Sequence, residues 1–574
     1  MSKFNSIRVE SSQVNLPANH MITSTPLTIS LRTSDCRHLT EACNFYAAIR
    51  SRGYFSILTK DVRSGLVIKK LRYFARYIVV CLLLKRMKLV KDLIREFGQS
   101  LNDYSHVYEP EAQLEWSLVL QEIKAFIDAE SIVAIMSGPG HADGPGIQLT
   151  LSQRLTTANV PQPLKMPTGK LFLSEALIVG NYQRQVKFSE LTVDMYRLMQ
   201  ILEREPNEQQ QLSQQQQQLQ QQQSLNVSPQ HQLYGSQAQS QSQSQTQTKS
   251  FNLLARPTFN SQQAQGIKGS PHKYLLFRPT YSQLFLFLAS GFKELPQNGV
   301  LLLYLSADGS FGHMTAEGDE AGYDLGGVAT NPACPSNSLN SSGPNQQTRS
   351  GSSSNHYNRY YYQAGGGPPS AATTGGALRS SQSMHFKQLN CLHPGDLYSF
   401  TRKPLVLVVD SNNSYAFQHM PRHFGLPLLV LMSPTEYPAP FNDNTKGSLF
   451  TLFLHCPLTA LCSISNIIEL PETIWRDAQF YMDKFYTELG QIILQSRLLD
   501  PSYISLCSDD FLRLLIFRFI FCFIIMRLHR LFRTTNYYPR SYPPIPETEL
   551  LQHPVLKQII SDLTVTLDIR TLFD

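Results

Sequence analysis

Apolar positions along this chain follow two different patterns. In the N-terminal part they recur at helical spacing. Ala42, Phe45, Tyr46 and Ile49 fall on one face ahead of Gly53. In LVIKKLRYFARYIVVCLLLKRM the columns Tyr73/Tyr77/Cys81 and Phe74/Ile78/Leu82 repeat every four residues, while Lys69, Arg72 and Arg76 share another face. Stripes at Leu89–Phe97 and Leu114–Ile127 extend this into an array of short helical hairpins of tetratricopeptide-like packing, without a consensus repeat at fixed period. From Tyr274 onward the apolar residues instead form short unbroken runs: Tyr274–Phe277, Val300–Leu305, Leu405–Val409 and Leu428–Met432. Continuous runs of this length predict strands buried on both faces, as in a parallel sheet.

Between the first two runs Thr280 stands three residues before Gln283, the spacing of a capping box. Leu284, Phe285, Leu288 and Phe292 then recur at helical spacing until Pro296 and Gly299 break the pattern. Strand, helix and strand in that order predict an α/β unit. An apolar segment at Leu171–Val179 and a helix from near Ser189 to Glu205, with Phe188 and Val193 as its hydrophobic staple and Pro206 as its stop, are assigned to the end of the helical array. Ser508-Asp509-Asp510 predicts the cap of a last long helix.

Two tracts interrupt these patterns. Residues 208–265 are dominated by glutamine and serine, and residues 331–383 by serine, asparagine and glycine. Neither can bury enough apolar surface to offset chain entropy, so both are expected to be disordered. The expected organisation is α/β plus all-α. An unassigned segment (1–30) precedes the helical array (31–205) and a Gln/Ser-rich linker (206–270). A mostly parallel α/β sheet domain follows in two parts (271–330 and 389–574), separated by the second disordered insert (331–388). Loop-closure cost grows only logarithmically with length, so an insert of this size is compatible with the fold.

Composition changes the picture in three respects. Apolar residues make up 42% of the 574, below the usual fully globular range, which agrees with the two polar tracts. The formal charge of +7 comes from scattered lysines and arginines rather than a basic track, so direct nucleic-acid contact is not expected. Nine cysteines form no CxxC pair, and most lie in apolar context, which predicts reduced thiols and an intracellular setting without a secretory leader.

Candidate chemistry is sparse. Asp410-Ser411-Asn412-Asn413-Ser414 follows a predicted strand and resembles the DxSxS magnesium site of von Willebrand A-type domains, with Asn412 in place of the middle hydroxyl. The competing reading is a capped strand-to-helix turn. His393 and His423 stand beside proline or glycine without a nucleophile at readable distance, and Ser306-Ala307-Asp308-Gly309 suits a strand-end turn. The glycine- and proline-rich stretch 137–148 lacks both the Lys-Ser/Thr pair of a phosphate loop and GxGxxG spacing, and reads as a linker. No catalytic residue, metal ligand or cofactor site is assigned, and no enzyme is expected.

A membrane reading competes at FLRLLIFRFIFCFIIMRLHRLFR. A spanning helix needs about 20 mostly apolar residues, whereas Arg513 and Arg518 leave only Phe519–Met526 unbroken. Each central arginine costs roughly 2.5–3.5 kcal/mol on insertion. The expectation is a helix buried in the α/β domain with its arginines at the rim.

Several longer stretches carry a family resemblance. FYAAIRSRGYF, NYQRQVKFSELTVDMYRLMQILEREP, HKYLLFRPTYSQL, FKELPQNGVLLLYLSADG, CLHPGDLYSFTRKPL and GSLFTLFLHCPL, with the Tyr73/Tyr77 helix, resemble the SCAI (suppressor of cancer cell invasion) family from about Leu31 to Asp574 outside the polar tracts. The resemblance implies a nuclear and partly cytoplasmic corepressor without enzymatic activity. Its implied partners are the myocardin-related transcription factor and serum response factor complex, downstream of Rho, with a role in cell migration and a link to factors of DNA double-strand-break repair. It also implies a helical N-terminal region with a basic stretch for nuclear import. Residues 1–30 do not look like that region, so either a truncated isoform or an incomplete gene model is expected.

Overall fold

The computed structural model describes residues 36–55, 64–105, 110–130, 133–136, 154–155, 160–161, 171–204, 271–312, 323, 325–330 and 391–573. The glycine- and proline-rich stretch and both polar tracts lie outside the described residues. The chain opens with four helices, α1 (Cys36–Ser51), α2 (Ser64–Leu83), α3 (Met87–Ser105) and α4 (Pro110–Glu130), each packed on the next. The Tyr73/Tyr77 column forms their centre, where the Tyr46 ring stacks on Tyr77 with centroids 5.3 Å apart. A short strand β1 (Ala134–Met136) follows, then β2 (Phe172–Gly180) and a small hairpin, β3 (Lys187–Phe188) and β4 (Leu191–Thr192), ahead of α5 (Val193–Leu202).

The α/β layer continues with β5 (His272–Phe277), α6 (Tyr281–Glu294), β6 (Gly299–Ser306), β7 (Gly309–Ser310), β8 (Gly327–Ala329), β9 (Cys391–Leu392), β10 (Leu405–Asp410) and β11 (Leu428–Met432). Next come α7 (Leu449–His455), α8 (Pro457–Ile464), β12 (Glu469–Pro471), α9 (Glu472–Gln495), α10 (Pro501–Leu506) and α11 (Asp510–Leu528). The chain ends with β13 (Arg540–Tyr542), α12 (Glu547–Gln552) and α13 (Pro554–Thr566). Both halves of the Thr280–Gln283 capping box form, and Asp509 caps α11 by accepting from the N–H groups of Phe511 and Leu512.

Six strands make the main sheet in the order β13-β11-β10-β6-β2-β5, all parallel except β13. The chain starts at β2, steps outward to β5, then returns past β2 to β6, β10 and β11. The direction of winding therefore reverses between β2 and β6, the hallmark of a doubly wound sheet. One face packs on α6 and the 3-10 segments beside it, through Leu284, Leu288, Leu305 and Phe417. The other face joins a buried cluster that runs without a break from Leu39 of α1 to Ile569 near the C-terminus.

That topology corrects the expected boundary at residue 205. Phe172–Gly180 is the central strand of the sheet, hydrogen-bonded to both β5 and β6, not an appendage of the helical array. Leu171–Val179 is itself an unbroken apolar run, but the 66 masked residues between Arg204 and Pro271 separate it from the other strands in sequence. The helix expected from near Ser189 begins at Val193 instead, because residues 187–192 fold into the β3–β4 hairpin. Its N-cap is Thr192, whose hydroxyl accepts from the Met195 N–H. The helical array docks on this part of the sheet. Tyr196 of α5 donates to the Leu82 carbonyl at the end of α2 at 2.9 Å, and Arg197 donates to the Ala129 carbonyl at the end of α4.

Helix α11 is buried at every residue from Phe511 to Met526. Among the described residues no helix is long and apolar enough to cross a membrane. The arginines are not at the rim, as expected, but inside. Arg513 is 0% exposed and donates to the carbonyls of Pro161 and Cys507 and to the Asp510 carboxylate. Arg518 donates to the carbonyls of Leu454 and His455, the open C-terminal end of α7. A cation there satisfies carbonyls that have no partner within their own helix and opposes the negative end of the helix dipole. Burial first, then the nearby cations Lys85, Arg197 and Arg518, push the His455 imidazole well below its usual range.

Candidate functional site

In an open parallel sheet, ligands bind outside the carboxyl ends of the strands where the winding reverses, here between β2 and β6. Asn181 follows β2 and Ala307 follows β6, and both ends are occupied by the protein itself. The Asn181 N–H donates to the Ser306 carbonyl, and its side-chain amide donates to the Ala329 carbonyl of β8. The small antiparallel sheet β7-β8-β9 is anchored to this edge, with the Ala329 N–H bonded to the Asp308 carbonyl.

Beneath this cover lies a cluster of buried polar groups. Asp194, in the first turn of α5, is fully buried. Its carboxylate accepts from the Gln185 amide at 2.6 Å, the Ser448 N–H at 3.0 Å, the Ser306 hydroxyl at 3.3 Å and Arg197 at 3.4 Å. Asp410, at the end of β10, is equally buried. It accepts from the Thr451 hydroxyl at 2.6 Å, and Thr451 is also 2.6 Å from the Tyr304 hydroxyl. Gly447 is required at this junction. Its φ is +93°, and a Cβ there would meet the Arg197 guanidinium and the Asp194 carboxylate at under 3 Å.

Two carboxyl groups in one dry cluster cannot both ionise freely. Burial pushes Asp410 up to about 7, repulsion from Asp194 adds to the rise, and hydroxyls of Thr451, Ser448 and Ser433 oppose it. Burial also raises Asp194, but Arg197, the Ser448 N–H, Gln185 and Ser306 hold it down. Of the two, Asp194 is the better placed to carry charge, because it has the guanidinium and the backbone donor. Tyr182 and Tyr437, buried alongside, are raised well above the phenol range by the same desolvation.

The two turns singled out from the sequence meet here. Ser306 and Asp410 are register partners on β6 and β10, and the Ala307 N–H bonds to the Asp410 carbonyl. The Gly309 N–H donates to the Asn412 side chain at 2.6 Å, while the Asn413 amide donates to the carbonyls of Ser310, Leu325 and Gly327. Ser411 accepts from the Asn413 N–H, and Ser414 donates to the Ser433 carbonyl at 2.6 Å. The oxygens of the DxSxS-like stretch are thus engaged with the protein's own loops. The capping alternative is also corrected. Asp410 turns inward to Thr451 rather than onto a helix start, and the 3-10 turn that follows begins at Asn413 without a side-chain cap.

The histidines are not part of this cluster. His393 is buried, with its N–H bonded to Asp396 and its ring against Tyr323, and His423 lies exposed on a turn against the Tyr398 ring. Sequence reasoning missed Asp194, Arg197, Gln185, Ser448 and Thr451. A hint was present in the VDMYRLM segment of α5, where an Asp and an Arg interrupt a helix otherwise suited to burial. Beside the cluster, at the ends of β10 and β11, a cavity of about 590 Å³ is lined by Phe311, Asn412, Tyr415, His419, Thr435 and Glu436 among others. Its volume is within the range of small-ligand or side-chain pockets.

The opposite end of the sheet carries a second group. Among the described residues, Glu175, His272 and Glu294 form the set of His, Cys, Asp and Glu side chains whose ligand atoms lie within 4.8 Å of one another.

Comparison with known proteins covers most of the chain. A family model described as Protein SCAI matches residues 27–532. The human Protein SCAI is 41% identical over 546 residues, covering 95% of this chain and 76% of its own length, and the mouse protein is 41% identical over 545 residues with the same coverage. A Protein SCAI homolog of Dictyostelium discoideum is 36% identical over 616 residues, covering 93% of this chain and 80% of its own. No solved structure matches the chain.

Proposed function

This chain belongs to the SCAI family, and from that premise we propose that it is a regulatory cofactor that acts by binding other proteins. Its targets in this reading are the myocardin-related transcription factor and serum response factor complex, whose transcription it dampens downstream of Rho. It works in the nucleus and is also present in the cytoplasm. Restraint of cell migration follows from that repression, and a contact with factors of double-strand-break repair is the second expected partnership. Direct nucleic-acid contact is not part of the proposal, and neither is catalysis.

The observation that carries this reading is the state of the crevice at the winding reversal. Where a doubly wound enzyme would hold its ligand, this chain places Asn181 and β8 as a cover over carboxyl groups already engaged by Thr451, Ser448, Gln185 and Arg197. A sheet closed in this way is a scaffold that presents surfaces. The cavity beside it, with Phe311 60% exposed at its edge, is the recess we assign to a partner side chain.

The test is a serum-response reporter with co-precipitation of the myocardin-related factor. Expression of the full chain is expected to lower reporter output and to recover the factor, and Phe311→Ala is expected to weaken both while leaving thermal stability unchanged. Unaltered reporter output at verified nuclear expression of the full chain would overturn the proposal.

A further inference from the structure

We propose that Glu175, His272 and Glu294 form a divalent-cation site, suited to zinc, at the amino-terminal edge of the sheet. The three come from three elements. Glu175 and His272 are register partners on the adjacent parallel strands β2 and β5, and Glu294 ends α6, which packs across them. Neighbouring strands lie about 4.8 Å apart, so side chains of register partners on one face converge without strain. The His272 Nδ1 is 3.0 Å from the Glu175 Oε2, and all three ligand atoms fall within 4.8 Å of one another. Tetrahedral zinc with bonds of about 2.0–2.2 Å places its ligand atoms roughly 3.3–3.6 Å apart. To hold an ion the His272–Glu175 pair would open by a few tenths of an ångström and the exposed Glu294 side chain would turn toward both.

Two features of the backbone build this arrangement. The pairing of β2 with β6 shifts register between Leu173 and Glu175, an irregularity that re-aims side chains at sheet ends. As a result Glu175 joins Leu177 beneath α6. Gly291 of α6 lies over this face, where a Cβ would come 3.3 Å from the Leu177 side chain and into ordinary contact, 3.8 Å, with the Glu175 Cβ. The Glu175 side chain is left 6% exposed on an otherwise apolar face. The His272 imidazole N–H partners this carboxylate at 3.0 Å, and a divalent cation bound between them would replace that proton. An imidazole nitrogen and two carboxylate oxygens are a zinc donor set, with a fourth position for water. Access is open from outside, because His272 is 34% exposed and Glu294 lies at the surface.

The ion would staple β5 to β2 and α6. That position matters because β5 is the edge strand of the sheet and the first element after residues 205–270, which lie outside the described part. With ligands supplied by one strand on each side of that long connection, a bound ion would reinforce the pairing of the edge strand with β2.

The test uses the purified full chain, stripped of metal by dialysis against chelator and titrated with zinc, magnesium and calcium salts by calorimetry. A cobalt(II) titration read by visible absorption reports the coordination geometry. The expected result is one equivalent of zinc, a rise in thermal midpoint on zinc addition, and tetrahedral cobalt bands. Glu294→Gln, at an exposed position that should not disturb folding, is expected to weaken zinc binding at least tenfold, and His272→Gln to abolish it. Buried cysteines could scavenge zinc elsewhere, so the variants decide. Zinc binding unchanged in both, or no stoichiometric binding by the wild type, would overturn the assignment. Selective binding of magnesium or calcium would overturn its zinc character.

Discussion

The two ends of the central sheet hold buried carboxyl groups in opposite circumstances. At the carboxyl end, Asp194 and Asp410 are closed off from solvent and receive every recorded hydrogen bond from the protein's own Ser, Thr, Gln and Arg side chains and backbone. At the amino end, Glu175 shares an open-sided recess with a half-exposed histidine and a surface glutamate. A carboxylate supplied from within serves the fold, because its partners already match its charge and geometry. One whose companions are a histidine and a second carboxylate has only the imidazole proton to share, and a divalent cation can take that proton's place. The buried carboxyl cluster at the end where chemistry is customary therefore serves the fold, and the group at the opposite end is the one we assign to a cation.

That contrast can be broken most severely at Asp194. Asp194→Ala leaves the Arg197 guanidinium, 1% exposed, without its carboxylate and strips Gln185, Ser306 and the Ser448 N–H of their acceptor. Removing one member of a buried pair costs about 3–5 kcal/mol, so a marked drop in thermal midpoint is expected. A midpoint within a degree or two of the wild type would show that the cluster does not hold the sheet together.

Asp410→Asn probes the same end through pH. The carboxyl titrates at about 7 in the folded chain and near ~3.9 when unfolded, so the folded state holds the extra proton between those values. Wild-type stability from this group is greatest below pH ~4, falls as pH rises toward 7 and is flat above. The full span is worth up to roughly 4 kcal/mol. His455 acts in the other direction, since its lowered value makes acid destabilising. The stability difference between variant and wild type, measured by urea denaturation across pH 4–8, isolates Asp410. It is expected to shift in favour of the variant as pH rises to 7. A difference independent of pH would mean that Asp410 is ionised throughout.

A smaller change at the same end is Thr451→Val, which takes a hydroxyl from both Asp410 and Tyr304. The expected loss is about 1–3 kcal/mol, read from the denaturation midpoint. The smallest effect belongs to the other end. In metal-free buffer Glu294→Gln should change stability by no more than about 0.5 kcal/mol, as for an exposed surface position. A larger loss without metal would make Glu294 a structural partner and erase the contrast.

Much of the architecture was legible from the chain. Runs such as Val300–Leu305 and Leu405–Val409 became the strands they predict, the Thr280–Gln283 box formed, and Asp509 capped the last long helix. These features depend on residues close in sequence, so local pattern and propensity determine them. Cys43, Cys81, Cys391, Cys456, Cys462, Cys507 and Cys522 are free and buried. The long stretches that resemble the SCAI family led to membership that the family match and the relatives establish.

What the sequence could not determine was which distant segments meet. Phe172–Gly180 has the apolar pattern of a buried strand, yet only pairing with β5 and β6 makes it the centre of the sheet rather than the tail of the helices. Arg513 and Arg518 read as rim residues because a charge ordinarily avoids the interior. They are buried because folding brings the carbonyls of Pro161, Cys507, Leu454 and His455 to them. Asp194 and Thr451 stand 257 residues apart in sequence and belong to one polar cluster only because α5 and α7 pack on the same face of the sheet. Glu175, His272 and Glu294 converge through strand register and the packing of α6 on β2. Local elements follow from short-range sequence, whereas each polar cluster depends on long-range register, and the hydrophobic pattern that drives collapse carries no label for which polar groups will be trapped together.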